Sequence, residues 1–256
     1  MTHLVLDIGN FRIKGAFFRQ NVIEGRFSFP VTEYTALKSV LKRRQFDQSL
    51  AISSNRGIEE KISALFLEER WPYRLLDLKK VKIRLEVEEP EQLGQDRIAN
   101  AYGALVHFPT SDCIVVDIGA AVTFDFVRTD GTYLGGAIYP GPELGAKGLF
   151  EFANKLPLVP FKKPLEPIGK TTVTNIQSGL YWGLLGAIER IVDEMRFETS
   201  SPSSIKVIAT GGKTRIDETE SEPNEFVEDL KELVDFIDPD LTLIGIYEIL
   251  KEQKGE

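Results

Sequence analysis

Cysteine is almost missing: Cys113 is the only one in 256 residues. No internal disulfide can form, which excludes the disulfide-stapled scaffolds and points to a reducing, cytoplasmic setting. Histidine is nearly as scarce, with only His3 and His107, so a histidine-based mechanism has little to draw on. His107 falls at an apolar helix end and reads as packed, and Cys113 as an inert strand residue. Long apolar runs are also absent. Stretches such as Ile114–Val116 fall far below the ~20 residues that cross a bilayer, so no membrane partner is expected. Met1-Thr2-His3 leads directly into an apolar strand pattern with no basic segment, and no secretory signal is expected.

Positive charge is not in excess. Residues 214–256 carry 14 Asp/Glu against 4 Lys/Arg, a local balance of -10 within a total of -8. The body of the chain is therefore near neutral, and the acidity reads as a solvated C-terminal surface. No basic face suggests nucleic acid. What is present is ordinary globular material, 42% hydrophobic and 27% charged. At ~100–200 residues per domain, this length allows one large domain or two small ones.

An internal repeat favours two. Leu4-Val5-Leu6-Asp7-Ile8-Gly9-Asn10 and Ile114-Val115-Val116-Asp117-Ile118-Gly119-Ala120 share one pattern: an apolar run, then Asp, Ile, Gly and a small residue. Each continues into a second strand-like stretch, Arg12–Phe18 or Val122–Arg128. Each then reaches a turn signal, Gln20-Asn21 or Asp130-Gly131. The pattern predicts a β-hairpin or meander occurring twice, with domains at 1–111 and 112–256. Apolar spacing predicts helices over Thr35–Lys42, Ile58–Glu69, Asp96–His107, Gln177–Met195, Phe226–Val234 and Leu241–Lys251. Leu50–Ser54 and Ile205–Thr210 read as buried parallel strands, so the class is α/β. Leu156–Thr172, rich in Pro and Lys, reads as a loop.

Several residues invite a chemical reading. An Asp at the end of a buried strand is costly without a partner or a cation. Gly9 lets a ligand approach backbone N–H groups, Asn10 offers a hydrogen bond to a phosphate oxygen, and Lys14 a positive charge. One such hairpin alone is more simply an Asx-type turn; two copies at matching points favour a ligand-facing pair. Thr210-Gly211-Gly212 ends an apolar strand and permits close contact with a phosphorylated ligand, or makes a plain turn. Asp96 either caps a helix or stands over a substrate hydroxyl, with Arg97 exposed or holding an anion. Gly135-Gly136-Ala137-Ile138-Tyr139-Pro140-Gly141-Pro142 reads as a stiff loop.

In this order, the motifs resemble those of the type III pantothenate kinases, members of the acetate and sugar kinase/Hsp70/actin superfamily. The resemblance runs through Asp7–Asn10, Ser53-Ser54, Gly94–Arg97, Asp117–Gly119, Gly135–Gly141, Gly169–Thr172, Gln177–Gly179 and Thr210–Gly212. It implies two ribonuclease-H-like (actin-like ATPase) domains with a cleft between them, related by internal duplication. It implies ATP-dependent phosphorylation of pantothenate, the first step toward coenzyme A, in a homodimer. Asp96 would be the general base. Asp7, Ile8, Gly9, Asn10, Phe11, Arg12, Ile13 and Lys14 would bind ATP phosphates, with Asp7 organising Mg²⁺ through water. Ala120, Thr210, Gly211 and Gly212 would also meet the nucleotide. Gly94, Gln95, Asp96, Arg97 and Thr172 would bind pantothenate, and Asp117 would hold a monovalent cation, K⁺ or NH₄⁺.

Three positions depart from the family pattern. Phe11 and Ala120 stand where phosphate-facing hydroxyls are usual, and Val87 where a Tyr is usual. Each lost hydrogen bond is worth ~0.5–1.5 kcal/mol, so weaker ATP affinity is expected rather than none. A non-catalytic relative acting as an accessory transcription regulator is the alternative that Phe11 and Ala120 suggest. A sugar kinase is the other, although this chain has little room for the insertions such enzymes carry.

Overall fold

The computed structural model describes residues 1–198, 205–215 and 224–253. Part of the acidic C-terminal stretch, at 216–223 and 254–256, lies outside the described residues. The chain forms two compact units, one of Met1–His107 with Asp240–Glu256 and the other of Phe108–Pro239.

The first unit opens with a meander of β1 (Thr2–Ile8), β2 (Arg12–Arg19) and β3 (Val22–Pro30). Gln20 and Asn21 both take positive φ, 49° and 66°, in the two-residue turn that matches the right-handed twist of paired strands. After α1 (Ala36–Leu41), β4 (Gln48–Ser53) returns parallel to β1, giving the sheet order β3-β2-β1-β4. β1 is central and buried along its whole length, as its unbroken apolar run requires. Helix α2 (Arg56–Glu68) starts at Asn55, whose side chain accepts from Ile58 N at 3.2 Å. It packs Ile62 and Phe66 onto Leu4, Leu6 and Ile8. A short strand, β5 (Arg84–Leu85), precedes α3 (Gln95–His107).

The second unit repeats the plan. β6 (Cys113–Ile118), β7 (Ala121–Val127) and β8 (Thr132–Pro140) form a meander. Then come α4 (Pro142–Phe152), α5 (Thr172–Phe197), β9 (Lys206–Thr210), α6 (Glu225–Leu230) and β10 (Phe236–Ile237). β9 runs parallel to β6, and β10 parallel to β9. One face of this sheet, with Ile114, Val116, Phe124 and Val207, is covered by Tyr181, Leu184 and Ile188 of α5. The Leu156–Thr172 stretch has no regular element before α5, and Lys163 ties it to Asp229 at 2.6 Å.

Two expectations change. Gly135–Pro140 is not a loop but the body of β8, and Gly141-Pro142 begins α4. The glycines serve the strand: Gly135 takes φ 106° beside the register shift at Phe126/Val127, and a Cβ on Gly136 would overlap the Phe124 backbone. The expected domains 1–111 and 112–256 also shift: the second unit is Phe108–Pro239, and α7 (Leu241–Glu252) belongs with the first. α7 and α3 meet backbone to backbone. A Cβ on Gly245 would overlap the Ala99 carbonyl, and one on Gly103 would lie 2.5 Å from Leu241 O. Thr242 Oγ1 donates to Asn100 Oδ1 at 2.7 Å, and Tyr247 stacks on Phe18 at 4.3 Å. Leu243, Ile246, Ile249 and Leu250 are buried, each such side chain worth ~1.5–3 kcal/mol.

Candidate functional site

In the first unit, Asp7 is the last but one residue of β1 and is nearly buried. Register sets Lys14 directly across from it on β2, with Lys14 Nζ 3.5 Å from Asp7 Oδ2. The hairpin closes through Gly9 N donating to Arg12 O at 3.0 Å. Asn10 and Phe11 form the exposed tip, Phe11 with 61% of its surface free. Phe11 therefore stands at the loop end rather than filling the hairpin. Arg12 turns to β3, its Nε donating to Ser28 Oγ at 2.8 Å. Ile8 and Ile13 are fully buried in the core, so their side chains have no ligand role and only their backbone groups remain for one.

The amino end of α3 is held at the carboxyl end of this sheet by Gln95. Its Oε1 accepts from Ser53 N at 2.9 Å, and its Nε2 donates to Leu76 O at 2.8 Å. One lone pair and one N–H of that carboxamide position the helix, which leaves the second of each for a ligand. Asp96 lies in the first turn of α3, half-buried, with Oδ1 accepting from Arg97 N at 2.9 Å. A side chain at Gly94 would occupy the place of the Asp96 carboxylate, so glycine keeps that space open. Asp7 and Asp96 thus stand at the same end of one sheet, where ligands of open α/β sheets bind. Val87 is half-buried upstream.

In the second unit, Asp117 is the last but one residue of β6, matching Asp7. Thr123 on β7 and Thr210 on β9 are its partners on either side. This hairpin is one residue shorter: Ile118 pairs with Val122, whereas Ile8 pairs with Ile13. Ala120 is exposed at its tip, and its carbonyl accepts from Gly141 N at 3.1 Å. The first residue past β8 therefore braces the turn, a role the Gly-Pro pattern conceals. Gly211 takes φ 101°, and a Cβ there would lie 2.5 Å from Asp117 Oδ1 and 2.6 Å from Ile118 N and O. Only glycine lets the end of β9 lie against the Asp117 carboxylate. Gly212 is exposed with open space around it. Thr172 begins α5, exposed, but the cap is its neighbour Thr171, which exchanges hydrogen bonds with Thr174 in a capping box.

Asp125 and Tyr133 were not singled out by the sequence. Asp125 is fully buried, and its carboxylate accepts from Thr123 Oγ1 at 3.0 Å and from Tyr133 OH at 2.5 Å. The signal was there in Thr123-Phe124-Asp125-Phe126, which alternates polar and aromatic side chains in a strand buried on both faces. Burial, reinforced by the charges of Asp112 and Asp235, pushes the Cys113 thiol up to about 12, so that cysteine is inert. His107 is half-exposed in the last turn of α3. Among the described residues no group of three or more His, Cys, Asp or Glu could hold a metal ion. Nor is any helix there long and apolar enough to cross a membrane.

Two units, each a meander with a parallel fourth strand and an Asp-x-Gly hairpin, define an α/β protein of two ribonuclease-H-like domains, the actin-like ATPase and sugar kinase fold. The sequence profile of the type III pantothenate kinases matches residues 3–194, and the chain belongs to that family. A type III pantothenate kinase of Agathobacter rectalis is 39% identical over 174 residues, which are 68% of this chain and 62% of that protein. The chain thus matches less than two thirds of that relative's length. In fold it resembles a Campylobacter jejuni protein assigned to the Baf family of transcriptional activators, at 20% identity and a TM-score of 0.62, covering 99% of this chain and 100% of that one. It also resembles the ethanolamine utilization protein EutJ of Carboxydothermus hydrogenoformans, at 13% identity and a TM-score of 0.52, covering 96% of this chain and 89% of that one.

Proposed function

We propose that this chain transfers the γ-phosphoryl group of ATP to the primary hydroxyl of pantothenate, giving 4′-phosphopantothenate and ADP, the first step toward coenzyme A. The observation that carries the reading is the amino end of α3. Gly94 leaves room for the Asp96 carboxylate, and Gln95 fastens that turn to the sheet end that also carries Asp7. Asp96 takes the hydroxyl proton as the substrate oxygen bonds to the γ-phosphorus and the bond to the β-phosphate oxygen breaks. Gly94, Gln95, Arg97 and Thr172 bind pantothenate. The hairpin Gly9–Lys14 presents backbone N–H groups, Asn10 and Lys14 to the phosphates, and Thr210–Gly212 serve the nucleotide.

Mg²⁺ neutralises phosphate charge in such a transfer and keeps several waters. Asp7, nearly buried at the end of β1, would hold it through water. Asp117 would hold K⁺ or NH₄⁺, and its all-oxygen strand neighbours suit a hard cation. The family membership and the lone buried cysteine support a cytoplasmic enzyme. A homodimer is supported by the large apolar side chains left exposed along 144–168, including Leu144, Phe150, Phe152 and Ile168.

A coupled assay with ATP, Mg²⁺, K⁺ and pantothenate tests the reading. Asp96→Asn should lower kcat by ~10²–10⁴-fold with an unchanged melting temperature. An active Asn variant removes Asp96 from the base role, and no wild-type turnover at any cation concentration overturns the reading. A regulator without catalysis is the second reading, favoured by the missing hydroxyls at Phe11 and Ala120. Calorimetry that detects binding of neither ATP nor pantothenate would support it.

A further inference from the structure

The polar groups around Asp117 form a row across three strands: Thr123 on β7, Asp117 on β6 and Thr210 on β9. Behind Thr123 lies the fully buried pair Asp125 and Tyr133. A carboxylate accepts and does not donate. Thr123 therefore gives its single hydroxyl proton to Asp125 Oδ2 at 3.0 Å, and Tyr133 gives its own to Oδ1 at 2.5 Å. With that proton committed inward, Thr123 Oγ1 has only lone pairs left to present. On the other side of Asp117, the hydroxyl of Thr210 is completely buried and finds no hydrogen-bond partner among the described residues. Such a group costs ~1–3 kcal/mol unless something meets it. An anion here would be repelled by the Asp117 carboxylate. A carboxylate beside an oxygen with exposed lone pairs suits a hard cation instead.

We propose that Thr123 is an oxygen ligand beside Asp117 for the monovalent cation, and that Asp125 and Tyr133 are positioning residues that fix its hydroxyl with the lone pairs outward. This rests on the assignment of that cation to Asp117. Tyr133 locks the Asp125 carboxylate, and Asp125 locks the Thr123 rotor. An amide at position 125 could donate to Thr123 Oγ1 instead, which would free the threonine proton to point at the cation and repel it.

The test uses the full chain without substrates. Its thermal midpoint is followed while KCl replaces choline chloride at constant ionic strength, and the K⁺ concentration for half the effect is read. In the wild type the midpoint rises with K⁺. Thr123→Val, Asp125→Asn and Tyr133→Phe should each raise the half-effect concentration by ~10-fold or more, while Thr123→Ser, which keeps the oxygen, should stay near the wild type. Asp117→Asn should abolish the response. The half-effect concentration separates weaker binding from a lower starting midpoint, so a destabilised Tyr133→Phe remains informative. If Asp125→Asn does not fold, Thr123→Val decides. No response in the wild type, or an equal response in Asp117→Asn, sinks the cation assignment and the proposal with it. A response lost in Asp117→Asn but unchanged in Thr123→Val and Tyr133→Phe leaves the assignment standing and overturns the proposal alone.

Discussion

The adjacent glycines 211 and 212 offer a matched pair of substitutions with opposite expected outcomes. Gly211 has φ 101° and ψ 177°. That region is essentially reserved for glycine, and holding alanine there costs ~1–3 kcal/mol. A second cost comes from the neighbours. The new Cβ would lie 2.6 Å from both N and O of Ile118. These are backbone atoms of a paired strand and cannot swing aside, so crowding adds ~1–3 kcal/mol. The total for Gly211→Ala is ~2–6 kcal/mol, against a usual fold stability of ~5–15 kcal/mol. At Gly212 no heavy atom lies within 4 Å of the added Cβ, so Gly212→Ala should change stability by no more than ~0.5 kcal/mol. Urea titration followed by Trp182 fluorescence, in a Trp71→Phe background, reports on the second unit. Equal midpoints for the two variants would refute the account, because they would mean that the end of β9 does not lie against Asp117 in the strained form.

Gly245→Ala should destabilise the first unit by ~1–3 kcal/mol, since its Cβ would overlap the Ala99 carbonyl and force α7 off α3. Urea unfolding followed by Trp71 fluorescence in a Trp182→Phe background measures it, and an unchanged midpoint would show that the helices do not touch there. Cys113, with its thiol pushed up to about 12 by burial, should stay unreactive to a thiol reagent at pH 8 and react at once in urea. Prompt native reaction would contradict its burial. Thr123→Lys should remove the K⁺ response of the thermal midpoint, by setting an ammonium across from Asp117 as Lys14 stands across from Asp7. A response of wild-type size would refute that equivalence.

Much of the fold was legible because its signals are local. Two apolar runs ending in Asp-Ile-Gly reveal the duplication, and Gln20-Asn21 marks its turn without tertiary help. The fate of α7 was not legible. Its apolar face says that it must be covered, but only the fit of Gly245 against Ala99 and of Gly103 against Leu241 says by what. The glycines of Gly135–Gly141 misled for a related reason. Glycine suggests a loop when read along the chain, yet Gly136 is there because the neighbouring strand leaves no space for a Cβ. Among the candidate site residues, Asp7, Asp96 and Asp117 were visible as carboxylates at element ends. The positioning role of Gln95 was not legible, because its two partners, Ser53 and Leu76, are backbone groups far away in sequence. Asp125 was hidden because an isolated acid in a strand looks like a solvent-facing residue until both faces prove to be covered.

The two halves share a plan but differ in how the strand-end carboxylate meets positive charge. Both carboxylates sit where water is partly excluded, so both carry a desolvation cost that a nearby cation offsets. In the first unit the residue across the hairpin is Lys14, whose ammonium lies 3.5 Å from Asp7. Two residues further along the same strand comes Ala16, buried and neutral. In the second unit the residue across the hairpin is Thr123, and two further on comes Asp125. The exchange replaces an ammonium and a methyl group with a hydroxyl and a second carboxylate on the same face. One duplicated half therefore carries a tethered ammonium across from its strand-end carboxylate, and the other carries hydroxyl and carboxyl oxygens at the matching places. A monovalent cation at Asp117, as proposed above, would follow from that divergence, because the strand opposite Asp117 presents oxygen where the strand opposite Asp7 presents nitrogen.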